Sequence, residues 1–423
     1  MKRRIAILVT TLVLSLVLGS VSAQTKIRVW THQNNSFNTG LEALAASYMA
    51  EHPDITISFE SFDYETYIQT LQTSIPAKTE ADILQMFGTW TCSYKSNLAT
   101  VPEAMIGLDA AREKFFAASI NGYVCDEQVY GFPQEFNIEY GAALVNTQMA
   151  ADAGVDISKG WSNWDDFKAD AKAMTLNVDG NVLTAGYNYT SGDSIGYSFL
   201  SLLKQYGGDY LNADGTAFTI NTPEGAKALA LMQSFVAQGI IDPVLFNDES
   251  NWVGDCMFEG ACAMGVVGPW VIPEYAVDFP DLAAQMQYVK LPTINNDSSF
   301  VADSGWGLTV SANSKVQDAA WDFVKYVALN DANALAWNTG SGTLPAIKAN
   351  TKGEAAIKLV EAYPHFAPFL DILENGQYVG TLPDRDLFWY DILYPHILGV
   401  LQGVEDPEVA LSAIETEANE SFQ

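Results

Sequence analysis

The sequence predicts an α/β protein of two lobes, each a mostly parallel sheet flanked by helices, with a cleft where the chain passes between them. Three observations carry this. Strand and helix patterns alternate from the start, about 400 residues remain beyond a short apolar leader, and no flexible linker divides them. Two lobes without a linker imply more than one crossing of the chain. In open α/β sheets the carboxyl edge of the strands is where ligands sit.

The leader comes first. Lys2, Arg3 and Arg4 precede the apolar run Ile5–Leu18, and Val21-Ser22-Ala23 ends in small residues before Gln24. This is the pattern of a secretory signal peptide over 1–23, cleaved after Ala23. An exported, soluble protein is expected, periplasmic or extracellular. No cysteine stands at the junction to carry a lipid, and no later run approaches the ~20 apolar residues that span a bilayer.

Strand Lys26–Trp30 follows. Leu41, Leu44, Ala45, Tyr48 and Met49 then share one helical face, with Thr39 and Glu42 at capping-box spacing and His52-Pro53 as the stop. Ile55, Ile57 and Phe59 mark a second strand, Ile68, Leu71 and Ile75 a second helix, and Ile83–Met86 a third strand. This β-α-β-α-β order predicts parallel pairing. Further on, Trp164, Phe167, Ala171 and Met174 lie on one helix face. Thr222 caps a helix with Pro223 at its first position, which Gly239 ends. Ala263–Val267 reads as a buried strand stopped by Gly268-Pro269, leaving Trp270 at its carboxyl edge. Ala320, Phe323, Val324 and Val327 mark another helix, and Tyr394–Asn419 is helical with a break at Asp406-Pro407.

Composition excludes several functions. Formal charge is −30, and loss of Lys2, Arg3 and Arg4 makes it −33. Such a surface repels nucleic acid and anionic headgroups, so no nucleic-acid partner is expected. The four histidines are scattered, and no CxxC, HExxH or GxxxxGK[ST] occurs, so no metal, ATP or other cofactor is expected. A monomer is expected. The four cysteines allow three pairings in an oxidising compartment. Cys256 and Cys262 close a small local loop, which leaves Cys92–Cys125 as the complementary bridge.

The order of motifs resembles the extracellular solute-binding proteins of carbohydrate ABC importers, the family of the maltose-binding protein. The resemblance runs from Trp30 in the first strand through Ala81-Asp82-Ile83 and Phe87-Gly88-Thr89-Trp90 to Val129–Pro133. It continues through Glu139-Tyr140, Leu144-Val145-Asn146, Trp161–Thr175, Tyr206-Gly207-Gly208 and Thr222-Pro223-Glu224. It ends with Gly268-Pro269-Trp270, Gly305-Trp306-Gly307 and Gly342–Pro345. One departure is Val145–Gln148, where the family carries a Lys and an Asp. The resemblance implies a type II periplasmic-binding-protein fold whose lobes close on ligand by a hinge motion. It divides the chain into a first lobe of 24–135 and 300–343 and a second of 136–299 and 344–423. It also implies capture of a sugar or oligosaccharide and delivery to an ABC permease in the membrane.

Neutral sugars are recognised through hydroxyls and apolar C–H faces, which needs aromatic platforms and paired donors and acceptors. Trp270 matches the family's stacking tryptophan, and Trp389, within Phe388-Trp389-Tyr390, is a second platform. Trp90 and Trp306 are further candidates, whereas Trp30 and Phe87 read as core. The polar candidates are His32, Gln33 and Asn34 after the first strand, Asp63 and Tyr64 after the second, Glu139, Asp193 and Arg385. Glu139 is placed to accept two sugar hydroxyls. The competing readings are a secreted carbohydrate-active enzyme using two carboxylates and a receptor for an amino acid or polyamine.

Overall fold

The computed structural model describes residues 24–189, 192–241 and 253–421; the expected signal peptide lies outside them. The first lobe opens with β1 (Thr25–His32), α1 (Asn35–Glu51), β2 (Ile55–Phe62), α2 (Tyr64–Ala77), β3 (Ile83–Phe87) and α3 (Gly88–Tyr94). In β1 the alternation buries Ile27 and Val29 while Lys26 and Arg28 face solvent. The β1 strand lies between β2 and β3, parallel to both. Strand Trp306–Val310 then pairs antiparallel with β3 and carries Gly131–Pro133 on its far edge, which completes five strands.

The first helix begins earlier than its expected capping box. Asn34 is the N-cap, its Oδ1 accepting the Ser36 and Phe37 N–H groups at 3.1 Å each, and Thr39 hydrogen-bonds back to Asn35 O inside the helix. Asn caps as well as Ser or Thr, and the earlier start adds Phe37 to the buried stripe. The Thr222 cap and the helix behind it occur as expected, over Pro223–Ala237, and the expected break at Asp406-Pro407 proves to be the Asp406 cap of helix Pro407–Glu420.

The second lobe departs from a mostly parallel sheet. Its central strand, Ala142–Asn146, pairs antiparallel with both Met264–Gly265 and Met286–Lys290. Parallel pairing in this lobe occurs away from that central strand, between Phe300–Ala302 and Gly376–Tyr378, and in the bridges of Ala185 to Cys262 and Asn188 to Gly265. All five residues of Ala142–Asn146 are buried, and a short run buried on both faces carries no signal of direction. Both expected disulfides, Cys92–Cys125 and Cys256–Cys262, are formed.

Two separate buried clusters define the lobes. One gathers β1–β3, α1, α2 and the 306–347 segment; the other gathers 136–302 and 359–418. The chain leaves the first core after Phe132 and enters the second at Phe136. It returns through Asp303–Gly305, because Phe300–Ala302 belong to the second core and pair with Gly376–Tyr378. A third passage surrounds Leu344–Ile347. The crossings are tied together: Gln134 N–H donates to Trp306 O, and Phe136 N–H to Leu344 O. Gly305 has φ +75°, and a Cβ there would sit 2.9 Å from Glu135 Cγ, so the crossing requires glycine. Among the described residues no helix is long and apolar enough to cross a membrane.

Candidate binding cleft

Beside these crossings lies a cavity of about 350 Å³, walled by residues of both lobes. From the first lobe come His32, Gln33, Asn34 and Phe37 at the end of β1 and start of α1, Tyr64 at the start of α2, Phe87 at the end of β3, and Trp306. From the second come Asp193, Trp270, Glu274, Arg385 and Tyr390. Glu135, Asn137, Glu139 and Asp303 belong to or adjoin the crossings. As expected for α/β sheets, the β1 and β3 contributions sit at the strands' carboxyl ends.

The first-lobe wall is aromatic. The His32 ring lies flat on Trp306, centroids 4.1 Å apart and planes 3° from parallel. Tyr64, Phe87 and Trp90 surround the same indole at 5.2–6.3 Å. Burial pushes the His32 imidazole down to about 4, so it is neutral at physiological pH. Its Nδ1 faces Gln85 Oε1 at 3.1 Å and therefore carries the proton, leaving Nε2 as an acceptor.

On the second lobe Glu139 organises the Trp270 loop. It accepts the Gly268 N–H (2.6 Å) and the Trp270 Nε1–H (2.7 Å), one on each oxygen. Both its oxygens thus aim the half-buried indole, and Glu139 also lines the cavity, as a carboxylate able to accept more than one donor per oxygen can. Burial, reinforced by Asp193, raises its pKa well above the usual carboxylate range. Tyr288 braces the same loop by donating to Gly268 O at 2.7 Å.

Among the described residues Arg385 is the one arginine or lysine lining the cavity, and its guanidinium is already engaged. Its Nη2 meets Asp193 Oδ1 at 2.8 Å and Asp303 Oδ2 at 3.6 Å, and Nη1 meets Asp386 Oδ1 at 3.1 Å. Tyr197 donates to Asp303, and Tyr390 to Asp193 at 3.2 Å. The buried Asp303 is pushed upward by desolvation and held back by Arg385.

The structure thus brings His32, Gln33, Asn34, Tyr64, Glu139, Asp193, Trp270, Trp306 and Arg385 to one cavity. Trp90 lies one step away, lining an adjoining groove of about 300 Å³ that also contains Arg385. Two candidates do not belong. Asp63 is spent capping α2 through Thr66 and lines neither space. Trp389 is fully buried. It packs on Gly196 and under Arg385, whose guanidinium sits 4.5 Å from the ring centre. An aromatic triplet cannot show by type which ring turns inward; here Leu387–Leu393 is π-helical, and Tyr390 lines the cavity. The residues missed were Phe37, Phe87, Glu135, Asn137, Glu274, Asp303 and Tyr390. Glu135 and Asp303 sit in the crossing segments, where residue type alone does not show that a side chain faces a cavity.

The chain matches the family model described as bacterial extracellular solute-binding protein over residues 34–334. A binding protein of Brucella abortus (strain 2308) is 24% identical over 400 residues, covering 94% of this chain and 93% of that protein. The sn-glycerol-3-phosphate-binding periplasmic protein of Escherichia coli (strain K12) is 24% identical over 351 residues, 79% of this chain and 77% of that one. Among solved structures, the cyclic alpha-maltosyl-1,6-maltose binding protein from Arthrobacter globiformis superposes with a TM-score of 0.77. It is 22% identical, over 94% of this chain and 99% of that chain.

Proposed function

Because this chain belongs to the bacterial extracellular solute-binding protein family, we propose that it captures a sugar or oligosaccharide between its lobes and hands it to an ABC importer. The family is one of receptors rather than enzymes. In this reading the signal peptide is removed, the receptor works in the periplasm or outside the cell as a monomer, and a membrane permease supplies the transport path.

One observation carries the substrate class: the cavity is lined by a half-buried indole, Trp270, from one lobe and by the Tyr64, Phe87 and Trp306 cluster from the other, together with polar groups. Flat aromatic faces suit the C–H faces of sugar rings, and Gln33, Asn137 and neutral His32 suit hydroxyls. The adjoining groove past Trp90 gives a longer chain room to continue. An anionic solute of the glycerol-phosphate kind fits poorly, since five carboxylates and one engaged guanidinium line the cavity.

A thermal-shift panel of mono- and oligosaccharides, amino acids, polyamines and glycerol phosphate tests this. A ligand at 100 times its Kd stabilises the fold by ~2.7 kcal/mol. A clear shift with at least one sugar is expected; no shift with any sugar beside a clear shift with an amino acid or glycerol phosphate overturns the reading.

A further inference from the structure

Resting on capture of a ligand between the lobes, we infer that the lobes turn about the Asp303–Ser304 peptide, and that the left-handed backbone of Ser304 weights the ligand-free protein against the lobe arrangement of this structure.

The two neighbours are anchored in opposite lobes. Before the peptide the holds are on the second lobe. Val301 N–H donates to Ser201 Oγ at 3.1 Å, and Ala302 O accepts the Val379 N–H at 2.8 Å. The Asp303 carboxylate accepts from Tyr197, and from Asn137 at 3.1 Å, and faces Arg385. After the peptide the holds are on the first lobe. The Ser304 side chain, 1% exposed, fills a notch between Gly88 and Gly122, where a Cβ on either glycine would stand within 2.6 Å of it. Its Oγ donates to Ser119 O, in the turn that runs on into Ile120 and Tyr123 of the first core. Gly305 O accepts the Gly88 N–H and the Tyr123 hydroxyl at 2.9 Å each. The chain changes lobe across one peptide bond.

The backbone there is unusual. Ser304 has φ +82° and Gly305 φ +75°, and among the described residues of the three passages these alone are positive. Such an angle is open to glycine and costs any other residue, which persists there only where its surroundings over-determine it. Here the notch fixes Ser304 on one lobe while Tyr197 and Asn137 fix Asp303 on the other. Rotation about the Ser304 N–Cα bond is the first freedom beyond the second-lobe anchors, so turning the lobes changes the strained angle itself. The notch travels with the first lobe and stays filled in every arrangement; the strain does not stay constant. It therefore acts on the ratio of arrangements.

Double electron–electron resonance between spin labels on Gln69→Cys and Asp391→Cys, one exposed position on each lobe, reads that ratio in the ligand-free protein. The native cysteines are paired and take no label. Wild type should show two distances. Ser304→Gly lifts the strain and should raise the share at the distance of this structure, relative to the other, by about fivefold or more. Ser304→Ala keeps the Cβ and the strained angle, loses only the hydroxyl, and should leave the ratio unchanged. A ratio that Ser304→Gly does not move, or that Ser304→Ala moves as far, overturns the pivot, and so does a wild type confined to the distance of this structure. Should Ser304→Gly fail to fold, wild type and Ser304→Ala decide alone. A sugar panel without a thermal shift overturns the carbohydrate reading and leaves the pivot standing; an unmoved ratio beside a clear sugar shift does the reverse.

Discussion

Arg385 is shared by the acids Asp193, Asp303 and Asp386. With Asp303 buried beside it, Arg385→Met leaves that carboxylate without its counter-charge. Breaking a buried pair from one side costs about 3–5 kcal/mol. Urea unfolding at neutral pH should show a loss of that order, partly recovered by adding Asp303→Asn; a loss below about 1 kcal/mol, the level of surface pairs, would contradict the arrangement. Glu135 supplies a pH signature. Its folded value of about 8 stands above the ordinary 4.5, so the folded protein keeps a proton that the unfolded chain gives up between those values. Its contribution is complete below about pH 4.5 and falls by at most about 1.4 kcal/mol per pH unit until pH 8. Relative to Glu135→Gln, wild type should therefore lose stability from pH 5 to pH 8. Parallel profiles for the two proteins would show that Glu135 is ionised in the fold.

At the scale of elements, the strand ends were legible and the irregular helix was not. His32, Gln33, Asn34, Tyr64 and Trp270 were found because each follows a strand or short apolar run, where side chains point to the ligand edge. Asp63 shares that position, yet its side chain serves the N-cap of α2, and a cap and a contact look alike in sequence. The Leu387–Leu393 segment defeats a 3.6-residue reading, since its π turn rotates Trp389 into the core and Tyr390 toward the cleft. Trp389 is then a support for Arg385. Trp389→Ala should cost about 3–5 kcal/mol, the range for a large buried aromatic. A chemical-denaturation midpoint close to wild type would place the indole outside the core.

At the scale of the molecule, two buried cores joined by three passages of chain leave a space at the joint, and that space holds the candidate site. The two-lobe division followed from length, the alternation of elements and the missing linker. Sheet direction in the second lobe did not, because its buried five-residue strand looks the same either way. The acids of the crossings were also hidden. Glu135 and Asp303 lie among residues that pattern as core, and only the assembled joint shows that they face a cavity. The gripping surface we propose is consequently formed by Trp270 together with Tyr64, Phe87 and Trp306, because Trp389 is buried away from the cavity. Calorimetric titration of wild type and Trp270→Ala with the sugar that gives the largest thermal shift tests this most directly. Losing one stacked aromatic face and its buried area should weaken binding by about 2–3 kcal/mol, some thirtyfold or more. Equal affinity in the two proteins would mean that the sugar is held somewhere other than between these lobes.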